Sequence, residues 1–205
     1  MGILSRLMPW RSPKDPYWEG FVSRAVTDPD NELIPAIKNA PEGRIFPVRS
    51  DLPEPGRLAS DLAELASFLG AASMGIAKLD PAHLSADGTA DGLDEAGRAK
   101  LLATYTLVVM CTVHAEYDPA VEKGIGGQHP VQESAAINFS LSAYMRELGY
   151  HSTVRPVDAV AVAVAAGLGW AGAGGKLGTK KHGTHVYVGD GVLTDLPLAL
   201  GVPGA

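Results

Sequence analysis

Leu58, Leu62, Leu65 and Leu69 recur at spacings of four, three and four residues, which lines up one apolar stripe of a helix, and Gly70 marks its end. Met74 to Leu79 is apolar but short, and Asp80-Pro81 closes it, so the pattern predicts a strand. Tyr105 to His114 is almost continuously apolar and rich in β-branched residues, as expected of a central strand covered on both faces. Ile137, Leu141, Tyr144 and Leu148 repeat the helical spacing up to Gly149 and predict a second long helix. The polar stretch Ser85 to Glu95 reads as a surface loop before a short helical turn near Arg98, and Asp118 to Pro130 as another loop.

Two segments resist a single reading from their pattern. Residues 159 to 166 alternate Val and Ala, which argues for a strand, yet Asp158 is placed to cap a helix and Gly167 to end one. Nine glycines fall within residues 167 to 191, with two strands expected at His185 to Val188 and Val192 to Thr194 around Gly189-Asp190-Gly191. At the other end, nine of the 15 prolines lie within residues 9 to 55. Proline biases the chain towards extended and turn conformations, so residues 1–56 are expected to form an irregular arm preceding one domain over 57–205. The arm carries Trp10, Tyr17, Trp18, Phe21 and Phe46, which suggests that it lies across the body or is exchanged in a homodimer.

Composition narrows the function. The 205 residues, 46% hydrophobic and 20% charged, suffice for one buried core. A net charge of -6 provides no field for a nucleic-acid backbone, so no nucleic-acid partner is expected. The longest apolar runs fall far short of the roughly 20 residues of a membrane span. The first residues show neither a twin-Arg pair nor a continuous apolar leader region, so a cytoplasmic protein with no membrane partner is expected. The single Cys111 excludes an internal disulfide, a zinc ribbon and a four-thiolate cluster built from this sequence alone, and its apolar surroundings read as a buried strand.

Gly167-Leu168-Gly169-Trp170-Ala171-Gly172 fits the spacing of a dinucleotide-binding fingerprint, but Gly174, Gly175 and Gly178 argue against the helix that must follow it. The same run fails as a phosphate loop, because Leu177 follows Lys176 where a hydroxyl residue is required. His182 and His185 have the spacing of a metal-binding pair, with Asp190 or Asp195 available to add oxygen, although loop histidines are more often simply solvated. No nucleophile elbow and no Cys-His signature supports acyl transfer.

Three C-terminal segments occur in a telling order: Ala165-Ala-Gly-Leu-Gly-Trp170, Gly183-Thr-His-Val-Tyr-Val-Gly-Asp190, and Val192-Leu-Thr-Asp-Leu-Pro-Leu198. Upstream, residues 69–77, 108–118 and 144–150 fit the same series. From about residue 57 to 198 the sequence resembles the cobalamin-binding core of reductive dehalogenases and epoxyqueuosine reductases, in which an AGLG loop and a TDLPL segment flank the corrin pocket. The resemblance implies an α+β class with a nitroreductase-like sandwich, helices packed on a mainly antiparallel sheet, and a helical 159–166. It implies cobalamin as cofactor, lined by Ser140, Gly167, Leu168, Gly169, Trp170, Gly172, Thr179, Lys180, His182, Gly183 and His185. A glycine-lined slot with scattered donors suits a broad, amide-fringed ring with a phosphate tail.

The departures shape the expected function. Those families deliver electrons through cysteine-ligated iron-sulfur clusters encoded after the TDLPL segment, and no cysteine follows it here. The tyrosine expected near the start of the second long helix falls at Val131 to Glu133, and the arginine of a G-P-R-V-R run becomes His185. The acid or amide expected before the AGLG loop falls near Thr153 or Val154. The leading expectation is therefore a cobalamin-binding protein without its own iron-sulfur clusters. The alternative is a corrinoid-dependent reductase fed by a separate electron-transfer protein, with His185, Tyr187 or Asp158 supplying protons. A flavin or haem on the same fold is a third option. No D-x-H-x-x-G motif announces an imidazole as the lower cobalt ligand, and His182 or His185 stays as the candidate metal ligand.

Overall fold

A computed structural model describes residues 33–84, 93–116 and 125–203. Trp10, Tyr17, Trp18 and Phe21 of the expected arm lie outside the described residues, as do most of the loops expected at 85–95 and 118–130. In chain order the elements are α1 (Leu33–Lys38), α2 (Pro55–Phe68), β1 (Ser73–Lys78), a 3-10 turn (Pro81–His83), α3 (Glu95–Thr104), β2 (Leu107–His114), α4 (Ile125–Glu147) and β3 (Ser152–Arg155). There follow α5 (Ala159–Ala165), β4 (Trp170–Ala171), a second 3-10 turn (Ala173–Gly175), β5 (Leu177–Gly178), β6 (Val186–Val188) and β7 (Gly191–Thr194).

β2 is the hub, and its sequence explains why. Val108 through Val113 are buried throughout, as the continuous apolar run predicts, with Val109, Cys111 and Val113 facing one cluster and Val108 and Met110 the other. The first cluster is closed by Leu58 and Leu62 of α2 and by Ile137, Leu141 and Met145 of α4. The second is closed by Val162 and Ala163 of α5 with Leu168 and Leu177. Helices thus cover both faces of a five-stranded sheet of order β1-β2-β7-β3, with β6 also on β2 and every pairing antiparallel. This is an α+β fold, as expected.

One register detail matters later. Val109 pairs with Val192 and Thr112 with Val188, so three steps along β2 oppose four along the β6–β7 edge. The extra residue makes a bulge at Gly189 to Gly191 in place of a turn between paired strands, and pushes Asp190 out towards α1 and α4.

Three local expectations are corrected, and one strand had not been expected. The second long helix begins at Ile125, so residues 125–130 are helix where a loop was expected; Pro130 forfeits one backbone bond, which the burial of Val131, Ser134 and Ala135 offsets. Its buried stripe continues through Met145, while Tyr144 is exposed. The turn near Arg98 is a ten-residue helix, capped where the Asp94 carboxylate accepts from the Gly97 amide at 2.8 Å. β3, with its four short polar-to-apolar residues, gave no periodic signal.

Cys111 lies 2% exposed inside the first cluster, and desolvation pushes its thiol from the ordinary 9.0 up to about 12. Because the folded value is the higher one, the stabilisation of the neutral thiol is complete below pH 9.0 and disappears as pH climbs towards about 12. Urea midpoints measured across that window should fall faster for the parent chain than for Cys111→Ala. Matching slopes would show that the thiol is solvated.

Candidate functional site

α5 forms despite its alternating Val and Ala because both of its ends are chemically fixed. Asp158 accepts the Ala161 amide at 3.1 Å, and Gly167, at φ 79°, lets the Gly167 and Leu168 amides turn back to the carbonyls of Val164 and Ala163. The chain then leaves the helix directly into the Leu168-Gly169-Trp170 loop. There the backbone passes so close to β5 that a Cβ on Gly169 would sit 1.9 Å from the Gly178 carbonyl oxygen, while the Trp170 indole covers Gly178. The apparent dinucleotide fingerprint therefore follows a helix and precedes a two-residue strand, the reverse of what a nucleotide-binding turn requires. Its glycines stop a helix and let two backbones touch.

Beyond β5 the chain closes a tight turn. Thr179 and Gly183 exchange backbone hydrogen bonds at 2.8 and 2.9 Å, and the Thr179 hydroxyl donates to the Gly183 carbonyl and accepts from the His182 amide. Lys180, Lys181 and His182 project from this turn across from Trp170. Between them opens a cleft of about 410 Å³, lined by Ala72, Ser73, Gly167, Leu168, Gly169, Trp170, Thr179, Lys180, Lys181, His182 and Val202. Its walls are chiefly apolar with two lysines among them, and Trp170 is half exposed. The His182 ring meets His114 edge-on at 5.5 Å, and its buried Nε2 has no hydrogen-bond partner among the described residues.

The other singled-out residues lie elsewhere. Gly172 anchors the β4–β5 hairpin by donating to the Lys176 carbonyl at 2.7 Å, and Gly183 occupies the end of the lysine turn. Ser140 is on α4, on the far side of the sheet, with its hydroxyl bonded to the Ala136 carbonyl. His185 and Tyr187 line a separate cavity of about 290 Å³ with Glu116, Lys176 and Thr184. Burial first, then the nearby Asp190 carboxylate, pushes the Tyr187 phenol upward, so it stays protonated. Asp158 is engaged as the α5 cap. Asp190 pairs with Lys38 at 2.8 Å, and Asp195 pairs with Arg49 and His151. Among the described residues no three His, Cys, Asp or Glu side chains gather to hold a metal. None of Thr194 to Leu198 lines the cleft; the chain reaches it only at Val202. Ala72, Ser73 and Lys181 were missed, because small residues and a second lysine carry no periodic or motif signal.

An antiparallel sheet with helices on both faces and a glycine-bounded cleft beside one edge defines a class of fold that comparison makes specific. No family model matches the chain, and no curated protein sequence matches it. Among solved structures, the catabolic reductive dehalogenase NpRdhA superposes with a TM-score of 0.65 at 22% identity, covering 91% of this chain and 27% of that one. A reductive dehalogenase structure described as suggesting a mechanism for B12-dependent dehalogenation gives 0.60 at 22% identity, with the same shares. Epoxyqueuosine reductase from Streptococcus thermophilus gives 0.50 at 13% identity, over 70% of this chain and 47% of that one. The chain has the reductive dehalogenase-like fold and spans about a quarter of the length of those dehalogenases. No helix among the described residues is long and apolar enough to cross a membrane.

The cleft's chemistry can be tested against a corrinoid. A cavity of about 410 Å³ is in the range that encloses a drug-sized ligand, so it would seat one edge of so large a molecule. Apolar Leu168, Val202 and Trp170 match a ring edge, and the two lysines match a phosphate tail. The unpartnered His182 Nε2 is the polar atom that such a ligand would satisfy. The residues fit.

Proposed function

We propose that this chain is a corrinoid-binding protein that seats its ligand in the cleft between the 167–170 loop and the 179–183 turn. The observation that carries this is a coincidence of place. Gly167, Leu168, Gly169, Trp170, Thr179, Lys180 and His182, all expected from the sequence to hold the cofactor, line one cavity, and the His182 ring nitrogen in it lacks a hydrogen-bond partner among the described residues. Trp170 and Leu168 would wall the ring, Lys180 and Lys181 would meet the phosphate, and His182 Nε2 would approach the metal or a side amide. When bound, the corrinoid supplies a cobalt centre able to change oxidation state. Asp158, His185 and Tyr187 line no part of this cleft, which favours binding over turnover.

Titration with hydroxocobalamin should shift its visible absorption with saturation near one equivalent, and His182→Ala should weaken binding at least tenfold. An unshifted spectrum, with cobalamin passing freely through dialysis, would overturn the reading.

A further inference from the structure

A second cavity of about 420 Å³ opens on the opposite side of the sheet, between α1, α4, β3 and the β6–β7 bulge. Five charged side chains line it: Lys38, Arg146, Arg155, Glu42 and Asp190. Both carboxylates are already engaged, Asp190 by Lys38 at 2.8 Å and Glu42 by the Thr153 hydroxyl. Among the described residues neither guanidinium comes within 4.0 Å of a carboxylate, although Glu42 acts on Arg146 from farther away. Arg146, only 4% exposed, gives Nη1 to the Ser142 hydroxyl and the Ser152 carbonyl, both neutral acceptors. Arg155 has its Nε buried with no hydrogen-bond partner among the described residues. The lining carries three cations against two carboxylates, with Glu42 acting electrostatically on Arg146, so an excess of positive charge remains; a buried N–H without an acceptor is costly as well. Both deficits are removed by one anionic group entering from solvent. The remaining wall, with Phe139 and Val154, is apolar.

We infer that this cavity binds a small molecule carrying one carboxylate or phosphate on an apolar body, with Arg155 and Arg146 holding the anion. The inference stands apart from the corrinoid reading, since the two cavities share no residue. Desolvation lowers the Arg146 value, and the Glu42 carboxylate offsets only part of that drop.

The full chain is titrated calorimetrically with hexanoate, with neutral hexanamide and with inorganic phosphate, up to about 10 mM, where a millimolar Kd is saturated. Hexanoate should bind saturably and hexanamide at least tenfold more weakly. Arg155→Gln should lose at least tenfold in hexanoate affinity while its circular dichroism matches the parent. Phosphate binding as tightly as hexanoate and competing with it would overturn the apolar body and keep the anion site. No saturable binding of either anion, or hexanamide matching hexanoate, would overturn the whole; these readings on the parent chain do not depend on any variant folding.

Discussion

Gly169→Ala is expected to cost about 3 kcal/mol or more of folding stability and to remove corrinoid uptake with it. The new Cβ would fall 1.9 Å from the carbonyl oxygen of Gly178, and the obstructing atom is backbone, so no rotamer change can make room. Relief requires β5 to separate from the 169–171 arm, which breaks the β4–β5 pairing. That hairpin carries Trp170 and leads into the Thr179–Gly183 turn, so the cleft would lose two of its walls together. Gly56→Ala serves as the contrast: it lies in α2, meets nothing within 4 Å, and should be neutral or gain a few tenths to about 1 kcal/mol from helix propensity. Urea unfolding and hydroxocobalamin titration of both variants decide the matter. A melting curve for Gly169→Ala that overlays the parent would mean that the loop and β5 do not touch.

How much of this could be read from the residues themselves differs by element, for physical reasons. The α2 stripe and β2 were legible because burial on one or both faces imposes a period on the sequence. α5 was not, since seven residues of Val and Ala satisfy either period, and its capping bonds from Asp158 and Gly167 decide the conformation. The bulge at Asp190 and the contact at Gly169 depend on register and on backbone approach across the sheet, which no local window contains. The cleft was partly visible as a glycine-rich motif with a lysine turn. The Arg146 and Arg155 cavity was invisible, because its charges come from α1 and the segment after it, α4, β3 and the bulge, remote from one another in sequence.

Thr194→Val is the second large effect, and it separates stability from binding. Thr194 is fully buried; its hydroxyl donates to the His151 carbonyl at 2.8 Å and accepts from the Leu196 amide at 3.0 Å. Valine keeps the shape, takes the acceptor from the Leu196 amide and leaves the His151 carbonyl with only the Asp195 amide at 3.3 Å, at a cost of about 1–3 kcal/mol. Asp195→Asn should cost about 1 kcal/mol or less, because the partly exposed carboxylate pairs with exposed Arg49 and the amide oxygen can still accept from the His151 amide. Thr194 pairs with Leu107 at the start of β2, whereas Ser73 in the cleft pairs with Thr112 near its end. The threonine thus works at the opposite end of the β2 ladder from the cleft. Folded Thr194→Val should therefore bind hydroxocobalamin as the parent does while unfolding at lower urea. Equal losses of affinity and stability would instead place the 194–198 segment against the ligand, as the sequence resemblance alone implies, and would shift the binding site away from the 167–170 loop.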